Sequence, residues 1–199
     1  MNYLAHAYLS FNNPAVLTGN LISDFVKGKK QFEFESDIQK GIQLHRAIDS
    51  FTDEHPANRK AKEIFRPAYR LYSAAFVDVA YDHFLATDPS HFTDNSLAQF
   101  AAHSYALLQP FSSVFPNKFK AMFPYMQSQN WLYNYRLTYG IERSFQGITR
   151  RAAYISDFET AFVLFNKHYQ EIKGCYDIFF PQLYSFSQTT YQKLLTHTS

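Results

Sequence analysis

His45 and Asp49 stand four residues apart in the stretch GIQLHRAIDSFTDEHP, residues 41–56. On a helix turning 100° per residue they lie about 40° apart. Ile38, Ile42 and Thr52 share that sector, with Ile48 just beside it. An imidazole and a carboxylate therefore sit within or beside the stripe that a helix buries. Asp53 continues the four-residue spacing toward the end of the stretch. Burying a carboxylate without a partner is costly, so Asp49 needs a cation. Arg46, about 60° away on the same helix, is one candidate. A metal ion is the other, since a His and an Asp at i and i+4 project in parallel, as two ligands of one ion should.

The same pattern returns in AAFVDVAYDHFLA, where Asp78 and Asp82 are i and i+4. Ala74, Ala75, Tyr81 and Leu85 share their sector, and the alanines leave space for the carboxylates. His83 lies about 100° from Asp82, over Val79 and Phe76. It reads as a hydrogen-bonded core histidine or as a functional group. NYLAHAYLS places His6 among Tyr3, Leu4 and Leu9, and GNLISDFVKG places Asp24 between Ile22 and Phe25. Four segments thus each put a His or an Asp into otherwise apolar helix. Repeated burial of this kind calls for a shared compensation. Either a divalent metal supplies it, held between facing helices, or buried Asp–Arg and His–Asp pairs do.

The elements that must position these groups are helices. Sustained alternation and hairpin turns are missing, as are internal repeats, and helical spacing dominates. Helices are expected over 2–9, from Pro14 to about Lys27 with Gly28 as its stop, and from Ser36 or Asp37 to just before Pro56. Others follow over 57–65, with Pro67 as an interruption, and over 69–86, 94–109, 117–128, 130–150, 155–172 and 175–195. The expected fold is a single all-helical, non-repeating bundle spanning residues 1–199, with a site built between its core helices.

Composition agrees. Hydrophobic residues make up 46% of the 199-residue chain and charged residues 18%, the balance of a globular protein. The 21 Phe and 15 Tyr residues point to an aromatic core rather than a binding platform. The one cysteine, Cys175, excludes an internal disulfide and a multi-thiolate zinc site. The start of the chain lacks a signal-peptide pattern, and no apolar run approaches a membrane span. The expectation is a cytoplasmic protein with no membrane partner. Net charge is only +2, and no nucleic-acid-binding motif is present, so nucleic acid is not an expected partner. The charge is unevenly spread. From Pro116 to Arg151 stand Lys118, Lys120, Arg136, Arg143, Arg150 and Arg151 against the single acid Glu142. This is a solvated surface or a landing patch for an acidic partner.

Taken together, MNYLAHAYLS, GNLISDFVKG, GIQLHRAIDSFTDEHP and YRLYSAAFVDVAYDHFLA resemble the bacterial acyl carrier protein phosphodiesterases. The match is dense from residue 1 to about 86 and weaker in YGIERSFQGITRR. That family in turn is similar to the HD-type metal phosphohydrolases. The resemblance implies an HD-domain-like all-α fold and a manganese-dependent phosphodiesterase, with magnesium as the other candidate ion. It also implies removal of 4′-phosphopantetheine from holo acyl carrier protein, an acidic protein substrate. The chain has Ser23, and Ser73-Ala74-Ala75, where the family commonly carries glycine or small residues with glycine. Given that chemistry, Asp24, His45, Asp49 and one of Asp78 or Asp82 form the expected ligand set. Asp82 is taken as the ligand and Asp78 as a catalytic group. His6 or His83 would protonate the departing serine oxygen, and Lys27 and Arg46 would hold phosphate oxygens. If 136–150 were one helix, Arg136, Arg143 and Arg150 would form a row for an acidic carrier.

Two other functions fit the same residues. An HD-type phosphohydrolase acting on a nucleotide or other small phosphoester would keep the metal site without needing the arginine row. A non-catalytic helical protein that holds the carrier would bind without turnover. The sequence leaves the oligomeric state open.

Overall fold

Asparagine and proline set the first boundaries in the computed structural model, which describes residues 1–196. Asn2 accepts from the Tyr3 N–H and opens helix α1 (Tyr3–Tyr8). Asn13 caps the Val16 N–H, and Pro14 fills the first turn of α2 (Pro14–Ile22), the positions where each residue type suits a helix start. Helix α2 stops short of Lys27. A 3-10 turn, Ser23–Phe25, replaces its expected last turn and leaves Asp24 exposed. Helix α3 (Ser36–Glu54) carries His45 and Asp49 and ends ahead of Pro56.

Helix α4 (Pro56–Tyr69) runs through Pro67, which was expected to interrupt it. The missing N–H costs little there. Pro67 is exposed, and the helix ends two residues later, where Arg70 takes a φ of 48°. Then follow α5 (Ser73–Thr87), α6 (Asp94–Leu108) and α7 (Asn117–Ser128). The helix expected over 130–150 is broken into α8 (Trp131–Asn134) and α9 (Thr138–Arg151). Gly140 packs against the Asn134 carbonyl so closely that a side chain there would overlap it, so the chain folds back at that point. Helix α10 (Glu159–Lys167) and the long α11 (Tyr169–Thr196) complete a non-repeating all-α bundle, with no strand among the described residues.

Aromatics fill the core. Phe145 of α9 meets Phe65, Phe76 and Phe165 of α4, α5 and α10 edge-on. Tyr176 and Phe179 of α11 carry the packing to Phe84 and Tyr81 of α5. Such pairs add about 0.5–1.5 kcal/mol each beyond buried area. The closest helix contact is between α2 and α3. A Cβ on Gly19 would strike the Ile38 carbonyl, and one on Gly41 would strike the Val16 carbonyl. Two glycines therefore bring α2 against the helix that bears His45.

Helix α1 is held differently. Six residues are too few for a helix to persist alone. The buried carboxylate of Asp82, on α5, accepts from Leu4 N–H at 2.7 Å and Ala5 N–H at 3.2 Å, and from Asn2 N–H at 3.3 Å. These are the N-terminal donors that a helix cannot satisfy internally, and the helix dipole favours a negative charge at that end.

Candidate metal centre

Helix α1 delivers His6 to the site and α3 delivers His45 and Asp49. The His6 Nε2 lies 3.4 Å from Asp49 Oδ1, and the His45 Nε2 lies 3.0 Å from Asp49 Oδ2. The two rings stack, with centroids 4.1 Å apart. One donor atom from each of His6, His45 and Asp49 falls within 4.8 Å of the others. Asp24 stands at the edge of this group, its Oδ1 3.2 Å from His45 Nε2.

A hydrogen-bond chain fixes how His6 presents itself. The Asn20 amide N–H donates to the His6 carbonyl and to the Ser10 hydroxyl, which turns the Asn20 Oδ1 toward the His6 Nδ1 at 2.7 Å. The proton therefore belongs on Nδ1, and the Nε2 lone pair faces Asp49. That Nε2 is buried and has no hydrogen-bond partner. An orphaned imidazole nitrogen, aimed at a carboxylate and backed by a fixed N–H, has the character of a metal ligand. Asn20 had no role in the sequence reading. Its signal was an amide placed between Gly19 and Leu21 in an apolar helix.

The electrostatics divide the two imidazoles. Burial, reinforced by the charge of His45, pushes His6 down to about 4. Burial also opposes charge on His45, but hydrogen bonds to Asp24 and Asp49 outweigh it and hold His45 up at about 9. Burial would raise the Asp49 carboxyl, yet the hydrogen bond from His45 and the nearby Met1 amine keep it well below the usual carboxylate range. Arg46 is not its partner. That guanidinium reaches Gln31 and the Val26 carbonyl instead.

Asp78 joins the wall of the site from α5. Its carboxylate lies 3.2 Å from the Met1 amine, which is also 3.8 Å from Asp49. Burial pushes the Asp78 carboxyl upward against the pull of that amine. A cleft of about 520 Å³ opens over these groups. His6, Asp24, His45 and Asp78 line it together with Lys118, Met122, Trp131, Ile148 and Arg151. The second set comes from α7, α8 and α9, and no signal beyond the basic run pointed to it.

The remaining expected residues lie elsewhere. Both Asp82 oxygens are engaged by backbone amides at the start of α1, so the group expected as a ligand holds the helix that carries His6. Burial pushes the Asp82 carboxyl up to about 7 even against those bonds. His83 is packed away from the cleft, between the Tyr135 carbonyl at 2.8 Å and the Tyr169 hydroxyl at 2.9 Å, the core-histidine arrangement. Lys27 is exposed beyond the cleft. Arg143 and Arg150 are exposed on α9. Arg136 leaves their row, because it precedes α9 and pairs with Asp94. No described helix is long and apolar enough to cross a membrane.

Comparison with known proteins bears on all of these residues. The family model described as acyl carrier protein phosphodiesterase matches residues 1–183. A protein of that name from Yersinia pestis is 32% identical over 92% of this chain and 95% of its own length. Another from Photorhabdus laumondii is 30% identical over 92% of this chain and 93% of its own. A third from Yersinia enterocolitica is 31% identical over 94% and 98%. No solved structure matches the chain.

Proposed function

The chain belongs to the acyl carrier protein phosphodiesterase family, and on that premise we propose that it hydrolyses the phosphodiester linking 4′-phosphopantetheine to a serine of holo acyl carrier protein. The products are apo carrier protein and free 4′-phosphopantetheine. The observation that carries this reading is the group His6, His45 and Asp49, whose two imidazoles line a cleft, in a chain matched to the family over residues 1–183.

The donor set suits a divalent ion. It offers imidazole nitrogen and carboxylate oxygen with no thiolate, which favours manganese or magnesium over a thiolate-seeking metal. His6 through Nε2, His45 and Asp49 would hold it, with Asp24 at the edge as a further carboxylate. Such a site fits the resemblance of the family to the HD-type metal phosphohydrolases. When bound, such an ion makes water nucleophilic near neutrality and offsets charge on the phosphoryl oxygens.

The chain's own residues do the rest. Asn20 fixes the His6 tautomer, and Asp82 fixes the helix that presents His6. Asp78 and the amine beside it form a proton-bearing pair on the cleft wall, placed to protonate the departing serine oxygen. This role falls to Asp78 because both ring nitrogens of His83 are occupied in the core.

The test is to incubate the protein with holo carrier protein and manganese and to weigh the carrier by mass spectrometry. The carrier should lose the mass of phosphopantetheine, chelation should stop the loss, and manganese should restore it. A carrier of unchanged mass, beside turnover of a nucleotide or small phosphodiester, would transfer the site to another substrate. Binding of the carrier without any turnover would leave a non-catalytic role.

A further inference from the structure

Resting on that reading, we infer that the part of the cleft lined by α7, α8 and α9 is a two-part subsite for the arm being removed. Lys118 and Arg151 take its phosphate, and Trp131, Met122 and Ile148 take the uncharged portion that follows.

The cations come first. Lys118 on α7 and Arg151 at the end of α9 both line the cleft. Among the described residues, neither has an ion-pair or hydrogen-bond partner. Arg136 on the same basic stretch is paired with Asp94, and Arg143 is bonded to Tyr139 and Gln146. The Arg151 guanidinium lies along its own helix over Gly147. A Cβ at position 147 would come within 3.3 Å of its Nη1, so the bare glycine leaves room for the exposed guanidinium to lie along the helix at the cleft. Two unengaged cations and the carboxylates of Asp24 and Asp78 line one cleft of about 520 Å³. An anionic group seated between them meets cations on one side and, through a bound ion, a positive centre on the other. A guanidinium and an ammonium together suit phosphate oxygens.

The uncharged part follows from the remaining wall. Trp131 is half-buried, and its indole N–H is already spent on Gln129 at 3.0 Å. Its ring leans on Tyr3 at 6.2 Å, and the Tyr3 hydroxyl donates to the Met122 sulfur at 3.6 Å. Indole face, thioether and the Ile148 side chain give a surface with few free hydrogen-bonding groups. Such a surface suits a flexible uncharged arm and lacks the polar groups that would read a nucleobase. The cleft volume lies within the usual range for a small-molecule site.

Trp131 is the chain's single tryptophan, so its fluorescence reports this cleft alone. The protein, stripped of metal and without carrier, is titrated with 4′-phosphopantetheine, pantetheine, inorganic phosphate and AMP. 4′-Phosphopantetheine should change the Trp131 emission saturably. Pantetheine and AMP should each bind at least tenfold more weakly, and phosphate should bind weakly with little change in emission. Lys118→Ala and Arg151→Ala should each weaken 4′-phosphopantetheine about five- to tenfold, leaving pantetheine and the melting temperature unchanged. Arg151→Lys should recover part of the loss. Equal affinity for the phosphorylated and unphosphorylated arms, or no saturable change on folded protein, overturns the subsite. The outcome is separable from that of the enzymatic reading. Turnover of holo carrier without this selectivity sinks the subsite alone, and selective binding without turnover sinks the activity alone.

Discussion

The His6 ring lies on the His45 ring, with centroids 4.1 Å and planes 17° apart, and Asp49 reaches a nitrogen of each. Two imidazoles this close do not both carry a positive charge easily. The environment makes His6 the neutral partner and His45 the charged one. Without metal, the proton on His45 therefore compensates Asp24 and Asp49. On the proposed reading, a bound ion would take the proton's place.

That exchange predicts how ligand removal behaves. Manganese should raise the melting temperature of the wild type. His6→Ala, His45→Ala and Asp49→Ala should each abolish that rise and the turnover while keeping the helical circular-dichroism signal, since alanine is a good helix former. Asp53→Ala is the control, because Asp53 pairs with Lys62 outside the group. Calorimetric titration with manganese checks binding directly. Equal loss in all four variants would make the helix face structural rather than a metal site.

The pH dependence of the metal-free protein follows from His45. Its folded pKa, about 9, lies above the ordinary value near 6.5. The stability it contributes is therefore complete below about 6.5 and lost as pH rises through about 9. The Met1 amine, whose burial is outweighed by Asp78 and Asp49, is also held up and acts in the same sense. On the acid side His6 and Asp82 oppose each other, so the alkaline limb is the diagnostic one. Melting temperatures from pH 6.5 to 9 should fall without metal and fall much less with manganese. A flat metal-free profile over that window contradicts the proton's role.

Asp82→Ala should destabilise the metal-free protein by about 2–4 kcal/mol. It leaves the buried Leu4 and Ala5 N–H groups unpaired, and each buried unsatisfied donor costs roughly 1–3 kcal/mol. Asp82→Asn should lose less, because one oxygen still accepts. Urea melts in chelator check this. If Asp82→Ala lost metal affinity but no metal-free stability, Asp82 would be a ligand and not an anchor for α1.

Asp82 also marks where the sequence stops being legible. Its place in an apolar helix announced a buried carboxylate in need of compensation. The compensating group was a helix N-terminus almost eighty residues away, which spacing within one helix cannot reveal. His45 and Asp49 were legible because i,i+4 geometry is local. His6 and Asp24 were legible as residue types, but their convergence depends on how α1 and α2 pack. The break between α8 and α9 turned on one carbonyl contact at Gly140, invisible to periodicity. The set Lys118, Met122, Trp131 and Arg151 comes from the successive helices α7, α8 and α9, far along the chain from His6 and His45, so only tertiary packing brings it to the same cleft.

Gly41→Ala tests that dependence on packing. The added methyl would press into the Val16 carbonyl, forcing α3 away from α2. Overpacking of this kind costs about 1–3 kcal/mol, despite the gain in helix propensity. Because α2 carries Asn20 and α3 carries His45 and Asp49, manganese affinity should fall together with the melting temperature. A variant as stable as wild type, with unchanged affinity, would show that the contact relaxes freely.

Docking of the carrier is the last expectation. Arg143 and Arg150 stand seven residues apart on α9, a spacing that drifts only about 20°, and both are exposed. Arg151, the next residue, lines the cleft. An acidic partner lying along α9 would thus bring its modified serine toward the site. Arg143→Glu and Arg150→Glu together should slow the reaction on intact holo carrier by roughly tenfold, about 1.4 kcal/mol. Each exposed pair is worth only about 0.2–1 kcal/mol, but reversal removes attraction and adds repulsion. Activity on a small uncharged-tail phosphodiester should change far less, since it needs no docking surface. The wild-type rate on the carrier should also fall with added salt, as screening shortens to about 8 Å near physiological ionic strength. If neither reversal nor salt alters the carrier reaction, the carrier approaches over another face and this stretch of α9 is only solvated surface.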